Sequence, residues 1–176
     1  MYYKSFADDI QTEITLKEAV TKANAEAKKW NPLASLILIT SADAFDPNIK
    51  GPTEGKQGKR RMWNLIFGVP GTDQSLLVKI EENKISNVKE IQELVRPGEV
   101  VPLDQIAVDS PFLVEQAIQE FGMKPGVHFA RGYHFELFSD NHRLFFSVEG
   151  LNQRNKRIRV FFNPNNGRYL GMEVEK

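Results

Sequence analysis

Apolar residues in this chain fall into two helical stripes and a series of alternating runs. Leu16, Ala19, Val20, Ala23, Ala27 and Trp30 recur at three- and four-residue steps, the period of one helix face. Thr15 and Glu18 open that stripe at the spacing of a capping box, in which each side chain satisfies a free backbone amide of the other residue. Lys28 and Lys29 suit the negative end of the helix dipole, and Asn31-Pro32 ends the helix. The second stripe is Val114, Ala117, Ile118 and Phe121, with Ser110 expected as the cap and Pro111 in the first turn, where its missing N–H costs nothing. Gly122 closes it, and Pro125 follows.

Strands are expected after each helix. Residues 33–40 form one apolar, β-branched run; Trp63, Leu65, Phe67 and Val69 alternate along a second, and Leu76, Val78 and Ile80 along a third. Between the first two lies a polar stretch, 41–61, punctuated by Asp43, Asp46, Pro47, Gly51, Pro52, Gly55 and Gly58, which predicts a long loop. Residues 85–106 lack clear periodicity and read as a connection between halves. Beyond the second helix, strands are expected at 127–138 and 143–149. A closing hairpin spans 156–175, with Ile158, Val160 and Phe162 on one strand and Leu170, Met172 and Val174 on the other. Its turn, Asn163-Pro164-Asn165-Asn166-Gly167, has proline to preset a type I turn and glycine for the left-handed position.

Both halves thus spell a capped helix followed by three or four antiparallel strands, which is the α+β class in two layers. The helix starts lie about 95 residues apart, too far for a solenoid repeat, and point to two units, 1–106 and 107–176, whose sheets either join or stack.

Composition narrows the function classes. Among 176 residues, Lys plus Arg equals Asp plus Glu at 23 each, so there is no overall pull toward nucleic acid or an anionic membrane. There is no cysteine, which excludes disulfides, thiolate catalysis and cysteine metal sites. No apolar run approaches the roughly 20 residues of a membrane span. The first residues lack the charged-then-apolar pattern of a signal peptide, so the chain as written fits a cytoplasmic setting by default, and an extracytoplasmic or envelope setting if a leader was removed.

Candidate chemistry is sparse. Gly51, Gly55 and Lys56 resemble a phosphate loop, but the glycine spacing is one short and Gln57 stands where a magnesium-binding hydroxyl is needed. Asp8, Asp9, Asp43 and Asp46 offer carboxylates, with nothing to fix their separation or burial. Two basic runs, Lys56, Lys59, Arg60 and Arg61 in the long loop, then Arg154, Lys156, Arg157 and Arg159 near the last hairpin, would suit an acidic partner or a phosphate backbone; a solvated loop and an outer strand face explain them as well. His128, His134 and Glu136 have one parity on an expected strand and His142 follows the next turn, so His128, His134 and Glu136 are weak metal candidates beside the default of a solvent-facing polar row. No cofactor is expected, and no catalytic residue stands out.

The stretch Arg157-Ile158-Arg159-Val160-Phe161-Phe162-Asn163-Pro164-Asn165-Asn166-Gly167-Arg168-Tyr169-Leu170-Gly171 resembles the terminal hairpin of the PepSY and PepSY-like family of bacterial domains. Val108-Asp109-Ser110 with the helix after it, and the 16–27 helix with Trp30-Asn31-Pro32-Leu33-Ala34-Ser35-Leu36 after it, resemble the family's helix start in two degenerate tandem copies. The resemblance implies a cystatin-like helix lying on an antiparallel sheet. It also implies a secreted or envelope setting and a non-catalytic role in protein contact or protease modulation, with a peptidase among the partners. The alternative is a small-ligand or metal-binding pocket protein on a curved antiparallel sheet.

Overall fold

The computed structural model describes residues 12–42, 54–127 and 131–176. Helix α1, Leu16–Trp30, precedes strands β1 (Ser35–Ser41), β2 (Met62–Gly68), β3 (Gln74–Glu81) and β4 (Lys84–Gln92). Helix α2, Ser110–Phe121, precedes β5 (His134–Asp140), β6 (Arg143–Leu151), β7 (Arg157–Phe162) and β8 (Tyr169–Val174). The strands form one eight-stranded antiparallel sheet in the order β4-β3-β2-β1-β5-β6-β7-β8. The two meanders therefore join rather than stack, through β1 and β5, with Ile39 opposite Leu137.

Both helices cover the same face. Ile39, Leu65 and Val78 lie across β1, β2 and β3 in register, and Leu137, Phe146 and Phe162 across β5, β6 and β7; all are buried in a single cluster with Leu16, Ala19, Val20 and Ala23 of α1 and Leu113, Val114 and Ala117 of α2. The small alanines of α1 allow it to sit close on the strands, and Trp63 and Phe135 fill the middle of the layer with ring centroids 6.1 Å apart.

The expected caps hold at α1. Thr15 Oγ1 accepts from the Glu18 amide at 3.3 Å while Glu18 Oε2 accepts from the Thr15 amide at 2.8 Å. Gly122 ends α2 in the left-handed region, at φ 59°. The cap of α2 is one residue earlier than expected: Asp109, not Ser110, is the N-cap. Ser110 is buried because its hydroxyl has a longer-range task, accepting from the Leu16 amide at 3.0 Å and donating to the Gly58 carbonyl at 2.6 Å. Asp109 Oδ1 in turn accepts from the Lys17 amide at 3.0 Å. The free amides of one helix start are thus met by side chains from the start of the other, more than 90 residues away in sequence.

Two strand expectations need correction. Residues 84–92, read as part of a connection, form the edge strand β4. A bulge at Ser86 shifts the register between Lys79 and Ile80, so Ile85 and Val88 share a face three residues apart while Ile91 lies on the other, which disguises the two-residue period. Strand β5 begins at His134, not at 127, because Gly126 and Gly132 bridge to each other and Gly132, at φ 84°, seats against the Glu54 carbonyl.

The long loop is also tighter than expected where it is described. Gly58 has φ 71°, and a Cβ there would lie 2.2–2.5 Å from the backbone of Ser110 and Pro111, so residues 54–60 are wedged between the helix starts. The segment 43–53, with Asp43, Asp46 and Gly51, lies outside the described residues, as do Asp8, Asp9 and His128.

Candidate functional site

Helices cover one face of the sheet; among the described residues, none packs on the other. Register organises that open face into rows. Leu38, Phe138 and Phe145 form one, with Phe138 and Phe145 stacked at 5.4 Å and Phe161 edge-on to Phe145 at 6.1 Å. Thr40, Glu136, Ser147 and Phe161 form the next, and His134, Glu149, Arg159 and Glu173 the one after. The polar rows line a cavity of about 680 Å³ whose walls include Ser41, His134, Glu136, Glu149, Arg157 and Arg159.

Glu149 is the centre of the site. Its side chain is 10% exposed, yet it is fully matched: Oε1 accepts from Arg157 Nε at 2.7 Å, and Oε2 accepts from Arg157 Nη2 at 2.8 Å and Arg159 Nη2 at 3.2 Å. Burial pushes the Glu149 carboxyl up, but the hydrogen bonds and charges of Arg157 and Arg159 together outweigh it and hold the group below the usual carboxylate range. Glu136 goes the other way. Burial raises it, and its looser ion pair with Arg159, at 3.7 Å, does not compensate for burial plus the neighbouring charges of Glu149 and Glu173. One arginine serves two carboxylates, and the nearer one holds it.

His134 Nδ1 lies 3.2 Å from Ser41 Oγ, and that hydroxyl also accepts from the Phe135 amide at 3.0 Å. In a serine–histidine catalytic pair the far ring nitrogen takes the serine proton while Nδ1 is held by a carboxylate. Here Nδ1 itself faces a hydroxyl that is bonded to backbone, a geometry that ties β1 to β5.

The sequence candidates scatter. His134 and Glu136 do share the cavity wall, whereas His142 is in the tight turn at the far end of β5, at φ 65°. Tyr133 points to the helix side, its hydroxyl donating to the Met123 carbonyl at 3.3 Å, and burial raises its pKa. Among the described residues no group of three or more His, Cys, Asp or Glu is arranged to hold a metal ion. The basic run of the loop does not form one surface patch: Lys56 is exposed, Lys59 and Arg61 are half-buried, and Arg60 is wholly buried with Nη2 donating to the Arg131 carbonyl. Arg157 and Arg159 do lie on the outer strand face, engaged by Glu149 rather than free for an acidic partner.

Glu149, Ser41 and Glu175 are cavity residues that the sequence did not single out. A signal existed for the first. Folding 149–159 about the turn at 152–156 places Glu149 opposite Arg159, an acid and a base directly paired on the outward parity.

No family model matches the chain, and no curated protein matches it. A solved structure, described as a putative lipoprotein from Clostridium difficile 630, is similar over 96% of this chain and 97% of that one, with a TM-score of 0.63 and 14% identity. Similarity at that identity extends to the fold. No helix among the described residues is long and apolar enough to cross a membrane.

Proposed function

We propose that this chain is a non-catalytic, PepSY-like accessory module that works by contact with another protein, a peptidase being the first partner to test. The order of elements supports two related units, since a capped helix followed by a four-stranded antiparallel meander occurs twice. The observation that carries the proposal is the open sheet face. An antiparallel sheet can leave one face to water, but such a face is then polar, alternating with the buried one. Here, over β1 and β5 to β7, part of it is a row of aromatic and aliphatic side chains and the adjoining part is an open cavity lined by a charge pair. Folding alone asks for neither.

The test is direct binding of the purified chain to a panel of secreted peptidases, with peptidase activity measured in parallel. Binding is expected to fall when the open face is changed, as in Phe145→Lys, and to survive a change on the outer surface of α1, such as Lys22→Glu. Turnover of a substrate by the chain itself would contradict the proposal.

The cavity also favours a second use, a small ligand held by Glu136, Glu149 and the two arginines. Its volume, about 680 Å³, is in the range of ligand pockets. A thermal shift with one member of a metabolite panel, abolished by Glu149→Gln, would select it over protein contact.

A further inference from the structure

The two ends of the sheet are topologically alike but chemically different. At one end β4 carries Lys84, Lys89 and Glu90 and is broken by the bulge at Ser86, while Trp30 Nε1 of α1 reaches over to Glu90 at 3.0 Å. Lysines and bulges of this kind keep an edge from pairing with another strand. Strand β8, at the other end, contains neither lysine nor proline. Its one bulge, at Leu170, comes at the beginning and leaves 171–174 regular.

The Glu175 amide donates to the Arg157 carbonyl at 2.9 Å, so residue 175 faces inward to β7. In an antiparallel ladder the direction alternates, and Met172 and Val174 therefore turn their N–H and C=O groups away from the sheet. Their side chains sit on the helix side, opposite Val160 and Ile158, both buried. Yet Met172 is 46% exposed and Val174 47%, because the cover from α2 stops where Phe121 packs against Tyr169, tilted, with ring centroids 5.0 Å apart. The apolar layer runs one strand farther than the helix that should cap it.

On the other side of the same strand the charge is acidic. Glu173 lies opposite Arg159 and Glu175 beside Arg157, and with Glu136 and Glu149 this corner has four carboxylates to two guanidinium groups.

We infer that the β8 edge is a strand-docking site that takes an extended segment of a partner protein alternating apolar and basic side chains. Its backbone bonds to the outward groups of Met172 and Val174. Its apolar side chains extend the layer beside those two residues, and its lysines or arginines lie across from Glu173 and Glu175. This rests on the proposal that the chain works by protein contact, and it names the edge and the chemistry of the segment.

The probe is a fluorescent eight-residue peptide alternating valine and lysine, with a valine–glutamate peptide as control, titrated by anisotropy into the full chain. The lysine peptide is expected to bind and to weaken with salt, and the glutamate peptide not to bind. Glu173→Lys is expected to weaken binding about tenfold, as loss of a charge partner does at an interface. Met172→Pro removes an outward N–H and is expected to abolish binding; if it does not fold, Val174→Lys takes its place. Failure of the lysine peptide to bind at millimolar concentration, equal binding of both peptides, or indifference to the β8 substitutions overturns the inference. So does sedimentation showing that a second copy of the chain occupies the edge. Peptidase capture that depends on Phe145 and ignores β8 would overturn the edge inference while leaving the proposed function standing.

Discussion

The two faces of this sheet are built on different terms. On the helix side, side chains are buried in one cluster and the helix starts are interlocked through Asp109, Ser110 and Gly58. On the open side, half-buried aromatics and a buried carboxylate with two arginines face outward. Apart from Met172 and Val174 at the uncovered β8 edge, the sheet residues of the first face are held by packing under the helices. The second face leaves apolar area and paired charge facing outward, and it is this face that supports the proposed contact with a partner. If this division holds, substitutions under the two helices should cost the most stability, and those on the open side and at the β8 edge should change binding more than stability.

The largest expected effect is Gly58→Ala. A methyl group there meets the backbone of Ser110 and Pro111 at 2.2–2.5 Å in a left-handed conformation, so a loss of about 4 kcal/mol or outright failure to fold is expected in chemical denaturation. Next comes Ser110→Ala, which strands the Leu16 amide and the Gly58 carbonyl together; about 2–3 kcal/mol should be lost. A stability change under about 0.5 kcal/mol would show that the helix starts are not coupled through this hydroxyl.

The carboxylates sharpen the comparison on the open side. Glu149 has a lowered pKa, so its stabilisation is present above the ordinary carboxylate pKa and is lost as pH falls through the lowered folded value. Glu149→Gln should therefore destabilise by about 1–2 kcal/mol at neutral pH, allowing for the solvent that reaches Arg157, and the difference should vanish in acid. Glu136 has a raised pKa, so its contribution is favourable below the ordinary value and is lost as pH rises through the raised one. Glu136→Gln should be neutral to slightly stabilising at pH 7, with its difference from the parent also disappearing in acid. Thermal melts of the two variants across pH check both signs. The smallest effect is expected at the edge: Val174→Lys should alter stability by less than about 0.5 kcal/mol, since that side chain is half exposed.

Much of the fold was legible because its local signals were strong. The Thr15–Glu18 box, the Gly122 cap and the turn with Gly167 at φ 72° are short-range devices, and they formed where the sequence placed them. Strand β4 is obscured in the sequence because an edge strand need not be apolar and its bulge interrupts the two-residue period. Ser110 reads as a cap from its neighbours alone because its partners, Leu16 and Gly58, are far away in sequence. The candidate site was only half visible. Arg157, Arg159, His134 and Glu136 are legible as residue types, but their company depends on register across β5, β6 and β7, which parity along one strand does not reveal. Strand β8 misleads in the opposite direction: Leu170, Met172 and Val174 alternate like core residues, yet Leu170 is the bulge, and Met172 and Val174 are exposed because the covering helix ends short of them.

Amide hydrogen exchange of the chain alone and bound to a partner protein is the most direct test of whether the open side and its β8 edge do the recognising. New protection is expected across β8, at Met172 and Val174 above all, and on the open-face strands β5 to β7, with α1 and α2 unchanged. Protection confined to the outer surfaces of the two helices, with β8 exchanging as fast as before, would contradict it.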